Sequence, residues 1–136
     1  MDNEYYQELV KVRIERAREL LNEASELIEK NAYKSANNRA YYAIEKAVKA
    51  LLALQKTDVG THNGVLKQFN FLFIHNGDGT FSTDDYKIIA EAEQIRNASD
   101  YDDFYLASKS ETVELVKNTS YLIEKIVKYI QSSSDK

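Results

Sequence analysis

An all-α up-and-down antiparallel helical bundle of four main helices plus one short helix is the fold this sequence predicts, and three observations predict it. The 136 residues contain no proline, so the strongest helix breaker is missing. Apolar residues recur at alternating intervals of three and four through much of the chain, the period of a helix with one buried face. The links between these stretches are short enough to favour antiparallel neighbours. A single domain is expected over residues 1–136, because a chain of this length supports one core.

Val10, Ile14, Ala17, Leu21, Ala24 and Ile28 place one apolar stripe on a first helix running from about Tyr5 to Lys30. Asn31 follows a basic terminus and can take the left-handed conformation that ends a helix. A second helix starts almost at once, with a stripe of mostly small side chains at Ala36, Ala40, Ala43, Ala47, Ala50 and Leu54 that admits a close neighbour. The two should form a tight hairpin. KTDVGTHNG, polar and carrying two glycines, reads as a loop that includes His62. Val65, Leu66, Phe69, Leu72 and Phe73 give a short third helix ending before HNGDGT. A β-hairpin pairing FNFLFI with TFS ranks second, since it would have no sheet to join.

Ser82 with Asp85 has the spacing of a capping box and opens a fourth helix that reaches Arg96 or a little beyond. Ser108 with Glu111 opens a fifth, whose inner face is expected to carry Val113, Val116, Ser120, Ile123, Val127 and Ile130. The tail over 131–136, ending SSSDK, is expected to fray.

Composition excludes several classes. Apolar residues make up 43% and charged residues 29%, so the chain is neither disordered nor a membrane protein. No apolar run approaches the roughly 20 residues that span a bilayer, and no leader pattern opens the chain; a soluble, cytoplasmic protein is expected. The net charge of −4 argues against a broad basic face for duplex DNA. With no cysteine and two histidines, disulfides and thiolate metal sites are excluded, and no metal or other cofactor is expected. Gly77-Asp78-Gly79-Thr80-Phe81 looks like the middle of a calcium loop. In that register the first ligand falls on Ile74, which has no side-chain oxygen, and the last falls on Asp85 instead of Glu. A turn followed by a helix cap explains the same residues.

Two polar clusters remain. Arg39 lies in ANNRAYYAIEKAVKALL, a core-forming segment, with Asn37, Asn38, Tyr41 and Tyr42 around it. Its plain reading is an ion pair with Glu45 or with a carboxylate between Asp100 and Asp103. RNASDYDDFY, residues 96–105, is the densest polar and aromatic stretch. It reads either as a solvated loop between helices or as a site at the end of the fourth helix.

SANNRAYYAIEKAVKALLALQ, THNGVLKQF and RNASDYDDF, in that order, resemble the HEPN domain, specifically its small stand-alone prokaryotic type, over about residues 5–130. The resemblance implies a dimeric four- or five-helix bundle, often the partner of a minimal nucleotidyltransferase in a toxin and antitoxin pair, and in many members a metal-independent RNase. The family's RNase motif is an Arg, usually followed by a polar residue, with a His roughly four to six positions after the Arg. Arg96 and Asn97 match its first half, but positions 101, 102 and 103 are Tyr, Asp and Asp. Cleavage through a 2′-hydroxyl needs a group that moves a proton near neutral pH; His does so, whereas Tyr titrates near 10, so the rate should fall by roughly a hundredfold or more.

Three functions follow. The first is a binding module in which Arg96, Arg39 and Tyr101, with Asn97, Asp100, Tyr42 and His62 nearby, hold a nucleotide or an RNA end and serve a nucleotidyltransferase-linked system. The second is an RNase that uses Arg96 with Tyr101 in place of His. The third is a structural dimerisation module in which Arg96, Asp100 and Asp103 form an ion-pair network. The binding module is placed first. A two-fold homodimer is expected, from the small-residue stripe and from the resemblance, with two Arg96 side chains facing one cleft. The resemblance further implies that a nucleotidyltransferase could adenylylate Tyr101.

Overall fold

The computed structural model describes residues 3–58 and 60–134, with the side chains of His62 and Ser134 excepted. Its helices are α1 (Asn3–Glu29), α2 (Tyr33–Leu54), α3 (His62–Phe69), a π-helical turn π1 (Asn70–His75), α4 (Thr83–Tyr101) and α5 (Lys109–Ser134). Cross-links between elements fix their directions. Arg13 reaches the Lys49 carbonyl while Arg39 reaches Glu23, so α1 and α2 are antiparallel. Asn38 meets Asp100 and Tyr41 meets Arg96, so α2 and α4 are antiparallel as well. Lys125 on α5 binds Asp85 at the start of α4, which completes the up-down-up-down order predicted from the sequence.

The hairpin turn works as expected. Asn31 takes φ 60°, its N–H reaches the Ile28 carbonyl, and the Ala32 N–H reaches Leu27; this bond pair satisfies two carbonyls at the helix end. The same pattern closes α2 at Lys56, φ 56°, with the Lys56 N–H on Ala53 and the Thr57 N–H on Leu52. Nothing in a lysine announces a left-handed cap.

The small-residue stripe is consumed inside the chain. Ala36, Ala40, Ala43, Ala47 and Ala50 are all 0% exposed, and α2 touches α1, α3, α4 and α5. Alanine lets α1 lie close against α2 while Ile44, Val48, Leu51 and Leu52 fill the remaining sides of the central helix. The stripe therefore cannot serve as a dimer face.

Five boundaries or faces depart from the sequence reading. α3 begins at His62, capped by the Thr61 hydroxyl, which accepts from the Gly64 N–H at 3.1 Å; His62 is thus helical in its backbone, and its side chain lies outside the described residues. α3 runs on into π1, which ends with Asn76 donating to Phe71, and Phe69, Phe73, Phe81 and Tyr129 pack there with ring centroids 5.4–6.1 Å apart. The expected Ser82–Asp85 capping box is present, but α4 continues to Tyr101, so six of the ten residues of RNASDYDDFY are helix. On α5 the inner face carries Thr112, Leu115, Thr119, Leu122, Ile123, Ile126 and Val127, while Val113 and Ser120 are exposed. The apolar count alone misplaced this face, because two threonines lie inside it. Thr119 satisfies its hydroxyl on the Leu115 carbonyl at 2.7 Å. Finally, α5 extends through Ser134 into the stretch expected to fray, and 135–136 lie outside the described residues.

Candidate functional site

Asp85, Ile89, Ala92 and Arg96 are the buried residues of α4, spaced by four, three and four. Arg96 thus continues the stripe that faces α2, a guanidinium where the pattern would ordinarily set an apolar side chain. It is 5% exposed. Three tyrosine rings surround it, with Cζ 5.1 Å from the Tyr41 centroid, 5.5 Å from Tyr42 and 5.8 Å from Tyr101. A desolvated cation–π contact contributes about 2 kcal/mol or more, so aromatic faces take over part of the work of hydration. Burial by itself would lower the Arg96 pKa, but Tyr42, Tyr101, Tyr41 and Asp100 outweigh it and the net shift is upward. The group stays cationic.

One turn further along α4, an Asp100 carboxylate oxygen stands 3.6 Å from Arg96 Nη1 and accepts from Asn38 Nδ2 at 3.0 Å. Asn38 Oδ1 in turn accepts from Arg39 Nη1 at 2.7 Å, and Arg39 Nε donates to Glu23 at 3.4 Å. Alternating charge and amide therefore link α1 to α4 across α2. Arg39 finds its carboxylate on α1, neither at Glu45 nor in the 100–103 group, and Asn38 carries its connection to Asp100. Glu45 instead accepts from the Tyr41 hydroxyl at 2.9 Å and pairs with Lys49. Burial first, then the Glu45 charge and hydrogen bond, push the Tyr41 hydroxyl far above the usual tyrosine range.

Beyond Asp102 the chain turns, with the Tyr105 N–H on the Asp102 carbonyl and the Phe104 N–H on the Asp102 side chain. Tyr105 pins this turn: its hydroxyl donates to Glu111, and Lys34 sits over its ring. Asn37 Nδ2 donates to Ser99 Oγ at 3.1 Å beside it. Tyr101, Phe104 and Leu106 point outward at 75%, 93% and 88% exposure. Between these networks lies an open depression of about 370 Å³ lined by Lys34, Ser35, Asn38, Arg39, Ser99 and Asp100.

Of the residues singled out in the sequence, Arg96, Asp100, Tyr101 and Tyr42 are gathered in one place, with Arg39 two hydrogen bonds away. Asn97 is exposed on α4, off the face that holds Arg96. The sequence reading did not assign roles to Tyr41, Asn38 or Ser99. Extending the α4 stripe through Arg96 and across to ANNRAYYA would have found the first two. Arg96 offers a fixed cation to an anion. No group of His, Cys, Asp or Glu that could hold a metal ion occurs among the described residues.

A family model described as the HEPN domain matches residues 10–130, which takes in α2, α4 and all of this site. This chain belongs to the HEPN domain family. Its relatives include Putative toxin MJ0142 of Methanocaldococcus jannaschii, 31% identical over 98% of this chain and 89% of that protein. Putative toxin MJ0605 of the same organism is 35% identical over 73% of this HEPN chain and 72% of its own. A UPF0332 protein of Archaeoglobus fulgidus is 27% identical over 85% and 90%. No described helix of this HEPN domain is long and apolar enough to cross a membrane.

Proposed function

We propose that this HEPN domain is the toxin-like component of a toxin and antitoxin or nucleotidyltransferase-linked system, and that it binds the phosphate of a nucleotide or an RNA end through Arg96. The observation that carries this reading is the buried guanidinium: Arg96 is caged by three tyrosines, its Nε has no hydrogen-bond partner, and an exposed tyrosine forms one wall. A purely structural arginine would be expected to have its N–H groups satisfied, and the relatives named as toxins support the toxin-like part.

In this reading the domain works as a two-fold homodimer whose contact runs through Phe104 and Leu106, bringing two Arg96 sites to one cleft. Tyr101 is also the residue that a partner nucleotidyltransferase would adenylylate, since its ring is open to solvent. A second reading, slow RNA cleavage with Tyr101 replacing the usual histidine, is favoured by the same contact between Tyr101 and Arg96.

Purified protein incubated with single-stranded RNA tests both, with binding and cleavage read in parallel. Binding that Arg96→Ala abolishes, with cleavage absent from the wild type and gained in Tyr101→His, is the expected result. RNA and nucleotide binding untouched by Arg96→Ala in a folded variant would sink the proposal.

A further inference from the structure

We infer that Asp100 is a built-in competitor for Arg96: its carboxylate occupies the place of a ligand phosphate, and binding requires that it be displaced. The inference rests on the phosphate-binding reading of Arg96 and adds to it what controls access.

The geometry is that of a held but incomplete contact. Asp100 stands 3.6 Å from Nη1, longer than the roughly 2.7–2.9 Å of a well-formed charge-assisted hydrogen bond. What fixes the carboxylate is Asn38, which donates to it at 3.0 Å, and Asn38 is itself held by Arg39. The side chain of Arg96 is 6% exposed and that of Asp100 26%, so the anion at the guanidinium edge is the member of the pair that solvent and solutes can reach. It also lines the depression shared by Lys34, Ser35 and Arg39. A phosphate entering there meets cations on two sides and finds one anion in its way.

If Asp100 swings out, Arg96 Nη1 loses its counterion and Asn38 Nδ2 its acceptor. Both donors face the position of the Asp100 oxygen, and a phosphate offers enough oxygens to satisfy them together, which a single carboxylate oxygen does not. Apparent affinity is then the intrinsic affinity reduced by the fraction of molecules with Asp100 displaced.

Asp100→Asn tests this, because it removes the charge while keeping the shape and an oxygen for Asn38. Calorimetric titration with inorganic phosphate and with adenosine 5′-monophosphate would compare wild type, Asp100→Asn, Arg96→Gln and the double variant, each checked for helix content and melting. The expected result is an affinity for both probes about five- to tenfold tighter in Asp100→Asn, and lost again in the double variant. If Asp100→Asn binds no tighter while Arg96→Gln still weakens binding, Asp100 is not a competitor and only the phosphate-binding reading survives. If Arg96→Gln leaves binding unchanged, both fail. Should Asp100→Asn not fold, Asp100→Ala removes the carboxylate while leaving Arg96 and Asn38 in place and is expected to tighten binding in the same direction.

Discussion

A single hydroxyl illustrates how side chains at the α4–α5 turn couple to pH. Burial, and after it the bond to Glu111, push the Tyr105 hydroxyl up to about 12. The folded state therefore keeps this proton where the unfolded chain, titrating near 10, has begun to release it. The stabilisation is fully present below about pH 10 and is lost as pH rises through about 12. Tyr41, shifted in the same direction, adds to that loss. Denaturant unfolding of wild type should show stability falling across this alkaline window, with a shallower fall in Tyr105→Phe; identical slopes would remove Tyr105 from the account. A second prediction at this scale concerns Asp85, 1% exposed, which accepts from the Ser82 N–H at 3.0 Å and from Lys125 at 2.8 Å. Lys125→Met leaves a buried carboxylate with a cap bond but no countercharge, and should cost about 1–3 kcal/mol in urea unfolding.

At the scale of elements, the α1–α2 hairpin depends on alanine for its closeness. Ala47 is 0% exposed, so Ala47→Leu forces α1 or a neighbouring helix outward, and destabilisation by about 1–3 kcal/mol is expected. An unchanged melting temperature would mean that the packing there is looser than the burial implies. The other end of α2 offers the opposite test. Lys56 holds a left-handed conformation, φ 56°, to close the helix, at a cost of roughly 1–2 kcal/mol for an L side chain. Lys56→Gly removes that strain and loses some backbone entropy in return, so a net gain of about 0.5–1 kcal/mol is expected. Gly77 allows no such freedom, since a Cβ there would lie 2.1 Å from the Phe73 carbonyl oxygen.

For the whole molecule the question is what covers the Phe104 and Leu106 surface. Such large apolar side chains, pinned outward by the anchored Tyr105, favour association. Sedimentation at micromolar concentration should give a dimer for the wild type and a monomer for the Phe104→Asp, Leu106→Asp double variant, with helix content unchanged. A wild-type monomer would end the composite-cleft idea while leaving Arg96 to be tested alone. With a cognate nucleotidyltransferase and ATP, intact mass should rise by one or more adenylyl groups, and Tyr101→Phe should not be labelled. Equal labelling of the Phe variant would return Tyr101 to a role in the wall around Arg96.

The sequence by itself determined the helices, their order and most of their inward faces, because apolar spacing, capping residues and an Asn at a tight turn act locally and are readable one residue at a time. It also set Arg96, Asp100 and Tyr101 within one and a half turns of each other, which is why the segment stood out. Tertiary structure decided the rest. Only packing shows that α4 runs on to Tyr101, that two threonines turn the inner face of α5, and that the small-residue stripe is spent on α1 instead of on a second chain. Likewise Arg39 chose Glu23, sixteen positions away on another helix, over the carboxylates that its own neighbourhood suggested. The physical reason is the same throughout. A side chain's partner is set by which helices lie against each other, and that choice is made by the burial of the whole core, beyond the reach of local spacing.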